Sequence, residues 1–298
     1  MFAQWRQRIS ERTLRSRAAE PGTVFLDLRR VYIVPTGAGW GYVGMLILLF
    51  IGAINYNLSL GFALTFLLIG VALIDMHMTY RNLAHLHLVP NRSHAIFAGE
   101  TAQFELSIAN QKNLDRYAIW IGFVDPQQDF PEQALDLAEH SSTSVTLSVP
   151  SQQRGWLAAP KVRLRTRFPL GLLVAWSYWQ PSLQCLVYPA PEIDAPPLPQ
   201  AARQIAKLDL HDGGELVTKH FEGGSSTQLH LDFAQLPAHL DIESKLARMT
   251  RWVLQAEQEG LRYAFSLGDV ELGLGQGSAH QTACLRALAL FDGQRVCS

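Results

Sequence analysis

Between Val31 and Ile74 the chain has no Asp, Glu, Lys, Arg or His. Over its full 298 residues charged side chains reach only 17%, against about 25% in a typical soluble domain. Net charge is −1, so bulk charge gives no electrostatic footprint for nucleic acid or another polyanion. Cysteine is scarce too. Cys185, Cys284 and Cys297 cannot build a disulfide framework and lack zinc-ligand spacing. These shortages exclude a disulfide-rich secreted domain, a zinc finger and a disordered tail protein. What remains is a length sufficient for roughly two domains and an apolar excess concentrated in one place.

That place has the dimensions of a membrane hairpin. A bilayer hydrocarbon core of about 30 Å takes roughly 20 helical residues, so the uncharged stretch has room for two spans and is too long for one. Asn55-Tyr56-Asn57 is its strongly polar break. A transmembrane helical hairpin is therefore predicted within residues 31–77, with helices at 37–54 and 58–74. So short a joint makes the two helices antiparallel. Trp40, Tyr42 and Tyr56 fall near the expected ends, where amphipathic rings favour the interface. A buried hairpin of a soluble protein fits poorly, because soluble core helices rarely lack every charge for this long.

Arginine sets the expected orientation. Residues 1–30 carry Arg6, Arg8, Arg12, Arg15, Arg17, Arg29 and Arg30 against three acidic side chains. Arg81 and Arg92 follow the second helix, and the tip is uncharged. The positive-inside bias predicts a multi-pass protein of the bacterial inner (plasma) membrane with both termini cytoplasmic. It also argues against a cleaved signal peptide, whose basic segment is shorter and whose apolar run is single. Phe2, Trp5 and Ile9 are spaced for an interfacial helix among the arginines, or the basic terminus merely sets topology.

From about residue 84 to 189 the apolar period becomes two. Phe104, Leu106 and Ile108 alternate with polar residues, as do Val145, Leu147 and Val149, and then Val162 and Leu164. Turn residues at 98–100, 125–126 and 154–155 separate these half-buried strands, and an antiparallel β-sandwich-like domain is expected. Residues 190–202, with Pro191, Pro196, Pro197 and Pro199, read as a Pro-rich extended linker. The 203–298 segment reads as an α/β domain. It has a strand at 228–233, a helix at 241–259 ending at Gly260, a strand at 261–267 and a last helix opened by a Ser278-x-x-Gln281 capping box. That order implies a small parallel βαβ layer. The expected fold class is thus a membrane-anchored α/β multi-domain chain.

A resemblance joins these parts. Val31-Tyr32-Ile33-Val34-Pro35-Thr36, Asn55-Tyr56-Asn57 and Arg81-Asn82-Leu83 form its first section. Phe97-Ala98-Gly99-Glu100, Arg154-Gly155, Thr166-Arg167-Phe168-Pro169-Leu170-Gly171-Leu172 and Val187-Tyr188-Pro189 continue it. Lys219-His220-Phe221-Glu222-Gly223, Leu231-Asp232, Trp252-Val253-Leu254, His280 and the run from Cys284 to Phe291 complete it. Over residues 24–292 the chain resembles the bacterial membrane family known as domain of unknown function 58. The resemblance implies a truncated von Willebrand A-like C-terminal domain, and partnership with a MoxR-type AAA+ ATPase and a transglutaminase-like membrane protein. One departure is visible: the proline run leads straight into Arg203-Gln204-Ile205, and Ala206-Lys207-Leu208 replace the family's usual polar and tryptophan positions.

Gly273, Gly275, Gly277 and Ser278 lie where glycines can cradle phosphate, but without a P-loop ending, and read as a flexible turn into a capped helix. Asp232 at a strand end resembles the first ligand of an adhesion-type metal site. Ala234 and Leu236 stand where its hydroxyl ligands belong, so a hard cation would lack oxygen donors. His85 and His87, with Asp75 and His77 before them, make a conceivable metal pair without an identifiable third ligand. His280 and Cys284 are an i, i+4 pair that reads as a buried, inert thiol beside a histidine. No catalytic, cofactor or metal residue is therefore assigned. The expected function is a non-enzymatic scaffold or interaction module contacting lipid and the partners named above. A membrane or envelope assembly factor is the alternative, as is a hydrolytic enzyme using Arg203, Asp209, His211, Asp212 and Lys219 in the 203–219 region.

Overall fold

The computed structural model describes residues 22–125, 128–199 and 229–292. The chain divides into two units that are discontinuous in sequence. The first takes the residues up to His94, then Thr101–Val149 and Ala158–Cys185; the second takes Ala95–Glu100, Pro150–Leu157 and everything from Leu186.

The first unit opens with β1 (Val24–Phe25) and β2 (Tyr32–Pro35), then two apolar helices, α1 (Gly37–Asn55) and α2 (Ser59–Leu83). Thr36 N-caps α1, its hydroxyl accepting from the Gly39 amide, and satisfies one of the donors that a helix start leaves open. Asn57 turns the tip with φ 52°, a conformation asparagine tolerates. The helices pack through the Gly61 backbone against Ala53, an edge-on Phe50–Phe62 pair and a hydrogen bond from the Tyr42 hydroxyl to the Leu68 carbonyl. Only 11% of each helix's most apolar window is buried. Both helices are long and apolar enough to cross a membrane, and their apolar side chains point outward as a lipid-facing surface requires.

Antiparallel sheets follow. One has the order β1-β3-β5-β8, with β3 (Leu86–Ser93), β5 (Thr101–Asn110) and β8 (Ser142–Pro150). The other runs β2-β11-β10-β6-β7, with β6 (Arg116–Val124), β7 (Gln133–Leu137), β10 (Lys161–Thr166) and β11 (Leu173–Trp179). The period-two residues Phe104, Leu106, Ile108, Val145, Leu147, Val149, Val162 and Leu164 are all buried. Phe104 on β5 meets Phe123 on β6 edge-on at 5.9 Å, joining the two sheets across the core.

The second hairpin helix departs from the expected end at residue 74. It continues to Leu83, because its last turns carry a polar stripe that finds partners on the sheets, described below. Hydropathy stops at Ile74; the hydrogen-bonded helix does not.

In the second unit, β4 (Ile96–Phe97) pairs in parallel with β12 (Gln184–Tyr188), and β9 (Gly155–Ala158) completes that three-stranded sheet. A second sheet contains β13 (Leu229–Asp232), β14 (Tyr263–Leu267) and β15 (Val270–Gly275). β13 and β14 are parallel, connected through α3 (Ile242–Gln258), and β15 returns antiparallel to β14. The core gathers Leu231, Leu246, Met249, Val253, Phe265 and Leu288, the last from α4 (Ser278–Leu290).

Three expectations need correction here. The glycine-bearing stretch 273–275 is the end of β15, not a turn: Gly275 pairs with Tyr263 and the preceding Leu272 with Phe265 of β14, with a register shift between them. Ser278 does not cap α4: Gly277 occupies the cap position with φ 97° and no side chain caps the helix. Its amide is instead held by the Glu257 carboxylate. The proline run is also no free spacer over its described part. The Glu192 amide donates to the Ala247 carbonyl, Arg248 forks onto the Glu192 carboxylate, and the Trp252 indole donates to the Pro196 carbonyl at 2.8 Å. The proline-rich segment is thereby fixed along α3.

Candidate functional site

A buried polar constellation of the first unit lies where the hairpin meets the sheets. Thr36, just before α1, donates its hydroxyl hydrogen toward the Gly171 and Leu172 carbonyls, at 2.7 and 3.0 Å, and its amide also donates to Leu172. Asp75 on α2 is 1% exposed, and its Oδ1 accepts from the Leu170 amide at 2.9 Å. One helical turn and then two further on, Thr79 and Asn82 occupy the same face and are buried. Asn82 donates through Nδ2 to the Tyr117 carbonyl and the Thr166 hydroxyl, at 2.7 and 2.9 Å. Its Oδ1 accepts the Tyr117 amide. Thr166 in turn accepts the Phe168 amide. One segment, 166–172, thus receives hydrogen bonds from the base of both helices.

The local sequence explains the arrangement. Asp75, Thr79 and Asn82 recur at helical spacing, so a single face of α2 is polar. Thr166 ends β10, Leu173 begins β11 and Leu173 pairs with Pro35 beside the start of α1. The connection between β10 and β11 must therefore pass the helix roots. Gly39 is required there: a Cβ would stand 2.1 Å from the Leu172 carbonyl oxygen. Gly171, at φ 74°, supplies the left-handed backbone of the turn.

Arg116 lies at the same end of the sheets. It is 1% exposed, and its Nε and Nη1 meet no hydrogen-bond partner among the described residues. Burial first, and then the like charge of Arg81, pull its guanidinium below the ordinary arginine value. Chemically this end is a clamp. Asp75 holds the Leu170 amide through Oδ1 and Asn82 holds both backbone groups of Tyr117, while Asp75 Oδ2 and the Thr79 hydroxyl, both buried, meet no hydrogen-bond partner among the described residues.

A second polar feature belongs to the other unit. A cleft of about 790 Å³ is lined by Gln152, Gln153, Arg154, Glu243, Ser244 and Asp292, among others. Its volume lies in the range of about 300–1,000 Å³ that small-molecule sites occupy. Arg154 pairs with Glu243 and donates to the Phe291 carbonyl at 2.9 Å. Burial lowers its guanidinium, and Asp292 opposes that effect. The arginine of the Arg154-Gly155 motif therefore enters the cleft already neutralised.

The residues singled out from sequence take mainly structural places. Asp232 caps a short 3-10 turn, accepting from the Ala234 amide and the Gln235 side chain. His85 and His87 both pack on the Phe25 ring, at 5.6 and 5.0 Å. Asp75 turns to Leu170, while His77 is exposed. Among the described residues no three His, Cys, Asp or Glu side chains assemble as a metal set. His280 leaves Cys284 aside and engages Tyr263, with a ring contact of 4.7 Å and a hydrogen bond with the carbonyl. Cys284 is fully buried, and desolvation pushes its thiol up to about 12. Arg203, Asp209, His211, Asp212 and Lys219 lie outside the described residues, as do the arginines before Gly22 and Cys297.

Sequence reading missed the role of Asp75. The signal was present, since an acidic residue at the end of an otherwise uncharged apolar run must be buried against a partner or lie at a functional surface. Compared with known proteins, the chain matches no family model and no curated relative.

Proposed function

We propose that this protein is a membrane-anchored interaction module of the domain-of-unknown-function 58 type. In this reading α1 and α2 cross the bacterial inner membrane as a hairpin, with both termini in the cytoplasm. The sheets and the truncated von Willebrand A-like α/β unit then form a cytoplasmic surface for a MoxR-type AAA+ ATPase and a transglutaminase-like membrane protein.

The observation that supports it is the clamp of Thr36, Asp75 and Asn82 on residues 166–172. A chain that needed only a tether would join its helices to its soluble part through a flexible loop. Here the helices are hydrogen-bonded to the sheets at three points, so the sheets have one orientation relative to the hairpin. A fixed orientation is what a docking platform uses, because it presents the same surface to every partner at the membrane.

The test is affinity capture of the full chain from membranes in mild detergent, with Asn82→Ala as the comparison. Enrichment of an AAA+ ATPase by the wild type, and its loss in the unclamped variant, is the expected result. Recovery of lipid alone by both counts against the reading. A reporter joined after Ser298 tests the orientation, since activity outside the cytoplasm overturns it.

A further inference from the structure

The turn between β10 and β11 has a side chain that its hydrogen bonds do not explain. Leu170 is 58% exposed, although its own amide is held by buried Asp75. Thr36 binds the neighbouring carbonyls of Gly171 and Leu172. The turn therefore lies level with the N-cap of α1 and with Asp75 of α2, the first charged residue after the apolar run. Leu73, Ile74 and Trp40, close to those two residues along the helices, are exposed as well. Arg167, on the same turn, is exposed. An apolar tip flanked by a guanidinium is the pattern of a group seated at the boundary between acyl chains and phosphates.

We propose that Arg167–Leu172 is a lipid-contacting finger. Leu170 enters the headgroup–acyl boundary of the leaflet facing the sheets, and Arg167 meets lipid phosphate beside it. The proposal rests on the hairpin crossing the bilayer, and it adds a third contact with lipid, made by a β-turn. Continuity with the exposed apolar faces of α1 and α2 selects lipid as the occupant. The arginine selects phosphate as the adjoining group. The clamp then has a second consequence: it sets the depth of the finger, because Asp75 and Thr36 fix the turn against both helices.

The experiment uses the full chain with Cys297→Ser, reconstituted in phosphatidylethanolamine–phosphatidylglycerol vesicles. Single cysteines replace Leu170, Leu48 or Ser182, each labelled with an environment-sensitive fluorophore; native Cys185 and Cys284 are buried. Leu48 is 73% exposed on α1 and reports lipid contact of the hairpin. Ser182 is exposed beyond the far end of β11 and reports water. Bromine is carried on the lipid chain either near the headgroup or near the chain end. The expected result is that shallow bromine reduces the Leu170→Cys signal to roughly half, that deep bromine acts less, and that Ser182→Cys is unaffected. Adding Arg167→Glu is expected to weaken the shallow quenching. If Leu48→Cys is quenched while Leu170→Cys behaves as Ser182→Cys, the finger is overturned and the hairpin stands. If Leu48→Cys is itself unquenched, the membrane reading fails and takes the finger with it. Unchanged quenching with Arg167→Glu overturns the phosphate contact.

Discussion

The Asp75 carboxylate accepts the Leu170 amide at 2.9 Å across 95 residues of sequence. An acidic side chain within an apolar helix is costly unless a donor meets it, and here the donor comes from a strand connection. Asp75→Asn keeps an acceptor oxygen at the same place and is expected to change stability little. Asp75→Ala leaves a backbone amide unpaired, and a loss of about 1–2 kcal/mol is expected. Limited proteolysis within residues 167–171 in detergent distinguishes the two, with faster cleavage in the alanine variant. Equal cleavage of both would show that the hydrogen bond does not hold the turn.

Asn82 carries more of the clamp, since one side chain serves two partners through Nδ2 and a third through Oδ1. Truncating it leaves both backbone groups of Tyr117 without their side-chain partner and removes one of two hydrogen bonds to the buried Thr166 hydroxyl. Asn82→Ala is expected to destabilise the first unit by about 3 kcal/mol. Asn91→Ala is the control, because Asn91 bonds Ser107 at an exposed position. Its expected effect is below about 0.5 kcal/mol. Thermal unfolding of both variants in the same detergent checks the ordering.

Gly275 gives a steric prediction. A Cβ there would stand 2.5 Å from His280 Nδ1, and the imidazole cannot retreat freely because it is packed on Tyr263. Gly275→Ala is expected to cost about 1–3 kcal/mol, as overpacking does. Gly273→Ala, which faces open space, is expected to be nearly neutral. Adding His280→Ala to Gly275→Ala should recover part of the loss, so a double-mutant cycle reads the clash directly.

These residues also show what was legible in the sequence. The strands around Phe104, Val145 and Val162 were readable because each buries one face, so polarity alternates along the chain. The helix over 242–258 was readable from its apolar stripe and its ends: Asp241 accepts the Ser244 amide and Gly260 adopts φ 66°. Its partner contacts were not. Ile242 belongs to the apolar pattern but is 45% exposed, while Trp252 is buried under the proline run. The continuation of α2 past Ile74 was hidden because hydropathy records transfer to lipid, whereas Asp75 and Asn82 meet partners on the strands and their connection. Gly273 and Gly275 resembled a turn because glycine has no side-chain preference to report; the His280 ring is what makes Gly275 necessary in a strand. The clamp depends on contacts separated by tens of residues, which no local pattern encodes.

Cys284 supplies a prediction in pH. Its thiol is fully buried, and desolvation raises it from about 9.0 to about 12. The thiolate is therefore accommodated better by the unfolded chain than by the folded one. The protonated thiol leaves stability intact below pH 9.0; stability is lost as the pH rises from there toward about 12. Cys284→Ala removes that titration and is expected to flatten the alkaline limb of the unfolding profile, even if the smaller side chain lowers stability at neutral pH by roughly 1–2 kcal/mol. Alkylation gives an independent check at pH 8: a thiolate-requiring reagent is expected to modify Cys284 only after denaturation. Rapid modification of the folded protein would place the thiol near solvent and would revive a reactive His280–Cys284 pair.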